Sequence, residues 1–494
     1  MHRNRTLLAA VCLSLVAAGA FAVTDTVLIL HTNDIHDHVR PAYDGLGGLP
    51  YVSGWIKHVR SERPDTLVLD GGDVMHKGDM AAAATNSDFV YMALGRIPYD
   101  AGAPGNHDVT DGLYELEKHE QLCGFPLLCL NMVDEQGAPR RTASKMFDVD
   151  GVKVGVVGLT VWGRSDDVLP LDPCAQALAE EVERLDREAH LIVVLCHLTS
   201  RDCAAVSERV PAADVFVGGH SHEVLEEPIV VEQTGALIVQ AGCYARYVGN
   251  LELVVDLNTE EIVSYTDRLV RMDHDEVPCD AELLAWAQAH EIELCPRAAQ
   301  ALAHCDAPLE RGQMAKLEAC ALHQMAGTDV SLCDPRRTYY ALHEGAVDGN
   351  ALFMVSRRQG QPVVTASLTG LEILACIESA ESEQERPEWM GFEAEVDYAR
   401  PLGERIMAYD LDLDRQYRVV MPRLVWDATV VPALQRLAGD NGKSSEALPT
   451  PEETDFRAVD ALIAYFQAIG ESGQSVNAHV ETLSRATTGV VAVH

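Results

Sequence analysis

At 494 residues with 47% apolar side chains, the chain is longer than one core organises and lacks the biased composition of a disordered one. Its formal charge of −38 excludes the basic footprint that nucleic-acid polymers or anionic lipid surfaces require. An anionic small substrate must then be drawn in by local positive charge, such as bound metal.

Arg3 and Arg5 precede an apolar run over 7–18, and Ala20-Phe21-Ala22 fits a small-x-small cleavage site. This predicts an export signal over 1–22 and a periplasmic or secreted mature chain. The run is too short to span a bilayer, and Cys12 lies inside it rather than after a lipidation box, so no stable membrane anchor is expected. Export permits disulfides, and Cys123 and Cys129, bracketing a Gly-Phe-Pro loop, are the first candidates. Cys196, inside an apolar run, reads as a buried free thiol, and no CxxC zinc pattern occurs.

Strand-like runs at 27–30, 66–69, 152–159, 191–195, 214–217 and 237–240 alternate with helical stretches that include 52–63 and 175–187. Runs at 251–256 and 262–267 look like a closing pair of strands. This alternation predicts a layered α/β domain over 23–275. An acidic start with apolar residues at helical spacing over 279–293 predicts a connecting helix within 276–295. The remainder, 296–494, is a second domain with helices at 314–325, 369–379 and 458–469 and a strand at 361–368. Strands around a turn are expected over 406–420, and a polar loop over 440–454.

The polar residues that carry chemistry lie just past strand ends, where open α/β sheets keep their sites. VLILHTNDIH ends an apolar run in Asp34 and His36, and LVLDGGD uses two glycines to turn tightly and bring Asp73 to a strand end. Gly105 precedes Asn106, His107 and Asp108. VVLCH ends in His197, and VFVGGHSH ends in His220 and His222. Singly, each is an ordinary polar turn. Jointly they set carboxylate, imidazole and amide-oxygen donors at one edge without a competing thiolate, which suits divalent ions such as Mn, Zn, Co or Fe(II).

LHTNDIH, GGD, GNHD, CH and GGHSH, in that order, resemble the calcineurin-like metallophosphoesterases, and within them the secreted 5'-nucleotidase and UDP-sugar hydrolase branch. The resemblance implies a four-layer αββα metallophosphoesterase sandwich followed by a smaller α+β nucleotidase-like domain. It also implies two divalent metal ions as cofactor, which would ready a water for in-line attack on phosphorus. It assigns Asp34, His36, Asp73 and His222 to one ion and Asp73, Asn106, His197 and His220 to the other, with Asp73 bridging. His107 takes the place of the histidine that stabilises the transition state, or else only orients Asp34 or a water. The family's aspartate at a fixed distance after the Asn-His pair falls here on Thr110, which leaves Asp108 or Asp111 to bond His107. His76 stands where purple acid phosphatases have tyrosine, so an iron–tyrosinate site is not expected.

The second region resembles the nucleotidase C-terminal domain through LTGLEIL at 368–374 and YRVV at 417–420. Where that family carries an Asn-Gly-Gly-Gly turn, this chain has Asp334-Pro335-Arg336-Arg337, and the Gly-Gly-Asp-Gly-Tyr stretch after the late strand is missing. Arg336 and Arg337 are candidates to grip a substrate phosphate or carboxylate, or form a solvated turn. Phe392 and Trp426 are candidate stacking platforms or core residues. The expected function is hydrolysis of phosphate monoesters, most simply nucleoside 5'-monophosphates or related nucleotides. The alternatives are a phosphodiesterase or pyrophosphohydrolase on cyclic nucleotides, UDP-sugars or a non-nucleotide phosphoester, and a non-catalytic periplasmic binding protein.

Overall fold

The computed structural model describes residues 23–163, 167–337, 341–356, 361–440 and 448–487, and the leader expected at 1–22 lies outside them. The chain divides into two compact units, Met1–His290 and Glu291–His494. The helix Ala281–Leu294 runs across that division.

Among the described residues the first unit holds eleven strands: β1 (Thr24–Thr32), β2 (Leu67–Asp70), β3 (Ala101–Gly102), β4 (Ser144–Val149), β5 (Val152–Leu159), β6 (Leu191–Cys196), β7 (Val215–Val217), β8 (Ile229–Val230), β9 (Leu237–Val239), β10 (Tyr247–Asp256) and β11 (Glu261–Arg271). They form a five-stranded sheet ordered β11-β10-β1-β2-β3 and a six-stranded sheet ordered β4-β5-β6-β7-β9-β8. In the first sheet β1 is parallel to β2 and antiparallel to β10; in the second β5, β6, β7 and β9 are parallel. Apolar residues of both sheets, among them Val27, Ile29, Leu69, Val154, Val193 and Val217, share one buried core, which places the sheets face to face. The outer face of the second sheet packs on helices. Leu171–Leu185 presents Cys174, Leu178, Val182 and Leu185 at helical spacing, and Ser200–Arg209 presents Cys203 and Val206. The alternation read from the sequence is thus a layered α/β sandwich.

In the second unit a five-stranded sheet runs in the order Glu388–Met390, Val330–Cys333, Gln416–Pro422, Pro362–Thr369, Glu452–Arg457. Thr369 caps the helix Gly370–Glu378 by accepting from the Glu372 N–H, and Glu372 accepts from the Thr369 N–H in return. Trp426, Phe392 and Trp389 pack in or against this core, Phe392 stacked on Trp389 with ring centroids 5.7 Å apart.

Three expectations need correction. Cys123 and Cys129 are free, buried thiols that face separate partners, the carbonyls of Glu120 and Phe125 for one and Asn131 Oδ1 for the other. The residues between them pass alongside β3, with Leu127 bridged to Gly102, so the loop does not close on itself. The strands over 406–420 do not pair with each other: Ile406–Tyr409 pairs with Ala394–Val396, while Gln416–Pro422 enters the larger sheet. Residues 452–454 belong to its edge strand rather than to a loop.

Candidate metal centre

The loops after β1, β2, β6 and β7 bring Asp34, His36, Asp73, His197, His220 and His222 together in the first unit, while Asn106 lies on the turn that Asp108 ties to the loop after β2. Backbone bonds tie the loop after β1 to the loop after β2: Asp34 N–H donates to Gly72 O at 2.7 Å, His36 N–H to Asp73 O at 3.0 Å and Asp37 N–H to Val74 O at 2.7 Å. Five of the seven donors have left-handed backbones: Asp34 (φ 53°), His36 (49°), Asp73 (57°), His220 (69°) and His222 (59°). Side chains other than glycine rarely adopt this conformation, and such strain gathers at sites that must aim a group. Close approach needs glycine at Gly105, where a β-carbon would lie 2.1 Å from Asp73 Oδ1.

Asp34 Oδ1 lies 3.2 Å from His222 Nε2 and 3.6 Å from His36 Nε2. Asp73 Oδ2 lies 3.1 Å from His197 Nε2 and 3.8 Å from His36 Nε2, so this carboxylate stands between the two groups. Ligand atoms of Asp34, His36 and His222 fall within 4.8 Å of one another, as do those of Asp73, His197 and His220. Neighbours fix the rings. His36 Nδ1 meets the Met75 carbonyl at 2.9 Å and His197 Nδ1 meets the Gly71 carbonyl at 2.8 Å, so in each ring Nε2 is turned inward. The other Asp34 oxygen accepts from Asn33 Nδ2 and from the His220 N–H. Asp34 Oδ1, Asn106 Oδ1 and His197 Nε2 are buried without a hydrogen-bond partner. Buried polar atoms of a carboxylate, an imidazole and an amide that lack a well-formed hydrogen bond fit divalent cations, since such atoms are costly unless a partner of the right charge meets them.

The electrostatics agree. Burial raises the Asp34 carboxyl, but the adjacent His222 and His36 imidazoles and the charge of His197 hold it well below the usual carboxylate range. Asp73 is depressed in the same way, with His197 as the main opposing charge. Burial pushes the His197 imidazole down, and the charge of Asp73 reverses this and lifts it to about 10. The two buried carboxylates thus favour a cation beside them, a proton on His197 included. Burial lowers His107 to about 4.

The expectation that Asp108 or Asp111 bonds His107 is not met. Asp108 Oδ1 and Oδ2 accept the N–H groups of Asp73, Val74, Met75 and Gly105 and the Tyr91 hydroxyl, which makes Asp108 the anchor of two turns. Asp111 accepts from Asn86 Nδ2. The partner of His107 Nδ1 is His76 Nδ1 at 2.9 Å, and His107 joins His36 and Asp73 in a third close group. The sequence signal for His76 was its place three residues after Asp73. Lys77, next to it, was not singled out, yet its Nζ lies 3.2 Å from His36 Nε2. In the second unit Arg336 is held by Asp334 through two guanidinium nitrogens, and Asp334 also accepts from Thr429 Oγ1. The Arg337 side chain lies outside the described residues. A further group, Asp88, Glu115 and His119, already contains a cation, since Lys118 Nζ lies 2.7 Å from Asp88 and 3.1 Å from Glu115.

Comparison with known proteins adds to this geometry. Residues 27–224 match the family model of the calcineurin-like phosphoesterases, and residues 292–429 match that of the 5'-nucleotidase C-terminal domain. The chain is 28% identical over 395 residues to an uncharacterized metallophosphoesterase of Bacillus subtilis, YunD, covering 74% of this chain and 81% of that protein. It is 28% identical over 287 residues to the 5'-nucleotidase of Vibrio vulnificus, covering 49% of this chain and 51% of that enzyme, about half its length. The crystal structure of a 5'-nucleotidase precursor from Thermus thermophilus superimposes with a TM-score of 0.62 at 24% identity, covering 90% of this chain and 97% of that one.

Proposed function

Because the chain belongs to the 5'-nucleotidase branch of the calcineurin-like phosphoesterases and is a phosphoester hydrolase, we propose that it is an exported enzyme using two divalent ions to hydrolyse phosphate monoesters, nucleoside 5'-monophosphates or related nucleotides foremost. The observation that carries this reading is the set of buried polar atoms without a well-formed hydrogen bond, Asp34 Oδ1, Asn106 Oδ1 and His197 Nε2, with Asp73 beside both histidine groups. Asp34, His36, Asp73 and His222 would hold one ion; Asp73, Asn106, His197 and His220 would hold the other. When bound, such ions neutralise phosphoryl oxygens and lower the pKa of a water at neutral pH.

The chain's own residues do the rest. The carbonyls of Met75 and Gly71 keep His36 and His197 oriented, and Asn33 and the His220 amide hold Asp34 in place. His107, half-buried and paired with His76, hydrogen-bonds a phosphoryl oxygen or supports the leaving alkoxide through its other ring nitrogen. The export reading rests on the sequence of 1–22; among the described residues no helix is long and apolar enough to cross a membrane.

The test is metal-dependent release of p-nitrophenol from its mono- and bis-phosphates, followed by phosphate release from nucleotides, UDP-glucose and sugar phosphates. Monoester turnover lost with EDTA, regained with Mn²⁺ and reduced at least about 100-fold in His197→Ala is the expected result. Diester turnover alone would replace the reading with a phosphodiesterase, and no turnover with any metal would leave a binding protein.

A further inference from the structure

Two consecutive residues after the Gly-Gly-Asp turn, His76 (φ 70°) and Lys77 (φ 71°), are left-handed without being glycine. The next residue, Gly78, is pressed against the loop after β1, where a β-carbon would lie 2.2 Å from the His36 carbonyl oxygen. This strained turn delivers two side chains to the metal centre: His76 to His107, and Lys77 to His36. Lys77 is exposed while His36 is wholly buried, so the lysine stands at the mouth and reaches inward. Its ammonium lies 3.2 Å from His36 Nε2, an atom that also lies 3.6 Å from Asp34 Oδ1 and 3.8 Å from Asp73 Oδ2. The lysine charge is also felt at His107.

An ammonium in this place occupies ground that a divalent ion on His36 would claim, and like charges at such a distance repel strongly where water is scarce. With the ion bound, the exposed Lys77 is displaced outward toward the mouth. There a phosphoryl oxygen of an entering substrate comes within its reach. We propose that Lys77 is a specificity-determining residue: its ammonium binds a terminal phosphoryl oxygen and thereby favours dianionic phosphate monoesters over monoanionic diesters. The proposal rests on the phosphoesterase reading above and adds the charge class that the same site selects. In a chain of net charge −38, a cation at the mouth also offsets the repulsion that an approaching dianion meets.

The experiment compares full-length wild type, Lys77→Met and Lys77→Arg, all loaded with Mn²⁺. Met keeps the apolar stem and loses the charge, whereas Arg keeps the charge. Calorimetric titration with inorganic phosphate is expected to show about 10-fold weaker binding in Lys77→Met and recovery to within about threefold in Lys77→Arg. The kcat/KM for p-nitrophenyl phosphate is expected to fall about 10- to 100-fold in Lys77→Met, while that for bis(p-nitrophenyl) phosphate changes less than about threefold. Mn²⁺ affinity of the metal-free protein is expected not to fall. Unchanged phosphate affinity, or equal losses for both esters, overturns the assignment while leaving a phosphoesterase. Charge-dependent phosphate binding without turnover of either ester by wild type would instead sink the phosphoesterase reading and leave the anion contact standing.

Discussion

His76 and His107 meet through their Nδ1 atoms at 2.9 Å, so one ring must donate and the other accept. That bond fixes the orientation of His107 and leaves its Nε2 as the nitrogen free to serve a substrate. It fills the role the sequence assigned to Asp108 or Asp111, because an imidazole three residues past Asp73 reaches His107 once the turn is left-handed. His76→Ala should lower kcat by about 10-fold with KM within about twofold, and should cost nothing further in a His107→Ala background. Independent, additive losses in that double-mutant cycle would remove His76 from any role through His107.

At the scale of elements, the centre depends on the turn after β2 and the Gly105–Asp108 turn being locked to each other. Asp108 does this with one buried carboxylate that takes four backbone N–H groups and the Tyr91 hydroxyl. Asp108→Ala leaves those donors buried and unmet, and should cost at least about 3 kcal/mol of stability in the first unit, read by urea unfolding. Gly105→Ala drives a β-carbon to 2.1 Å from Asp73 Oδ1 and should abolish high-affinity Mn²⁺ binding. If Gly105→Ala binds Mn²⁺ as wild type does, the locked-turn account is wrong. The glycines of these turns were readable in the sequence. The task of Asp108 was not, because its partners are mainly backbone amides, which carry no residue identity.

For the whole molecule, all seven proposed donors belong to the first unit, whereas the second has its own core around Trp426, Leu332 and Val419. A ligand that binds one folded unit stabilises that unit alone. Mn²⁺ at about 100 times its dissociation constant should therefore stabilise the first unit by about 2.7 kcal/mol for each ion bound and leave the second where it was, with EDTA reversing the shift. Calorimetry of the full chain reads this as one moving and one stationary transition. Two transitions moving together would mean that the units do not unfold independently.

The residues of the candidate site were nearly all legible in the sequence, because a strand of buried apolar residues that stops in Asp-x-His, Gly-Gly-Asp, His or Gly-Gly-His-x-His announces both where a loop begins and what it carries. The α/β alternation was legible for the same reason: burial imposes hydrophobic runs that any folded form must satisfy. Tertiary structure alone decided which groups meet at close range. His76 on His107, Lys77 on His36, Asp108 under two turns, Arg336 on Asp334 and the separate fates of Cys123 and Cys129 all depend on left-handed backbones and on contacts to main-chain atoms. A sequence records side chains in order along the chain. The direction in which a strained turn points them, and the backbone group they find there, is settled only when the two sheets pack and bring their loop ends together.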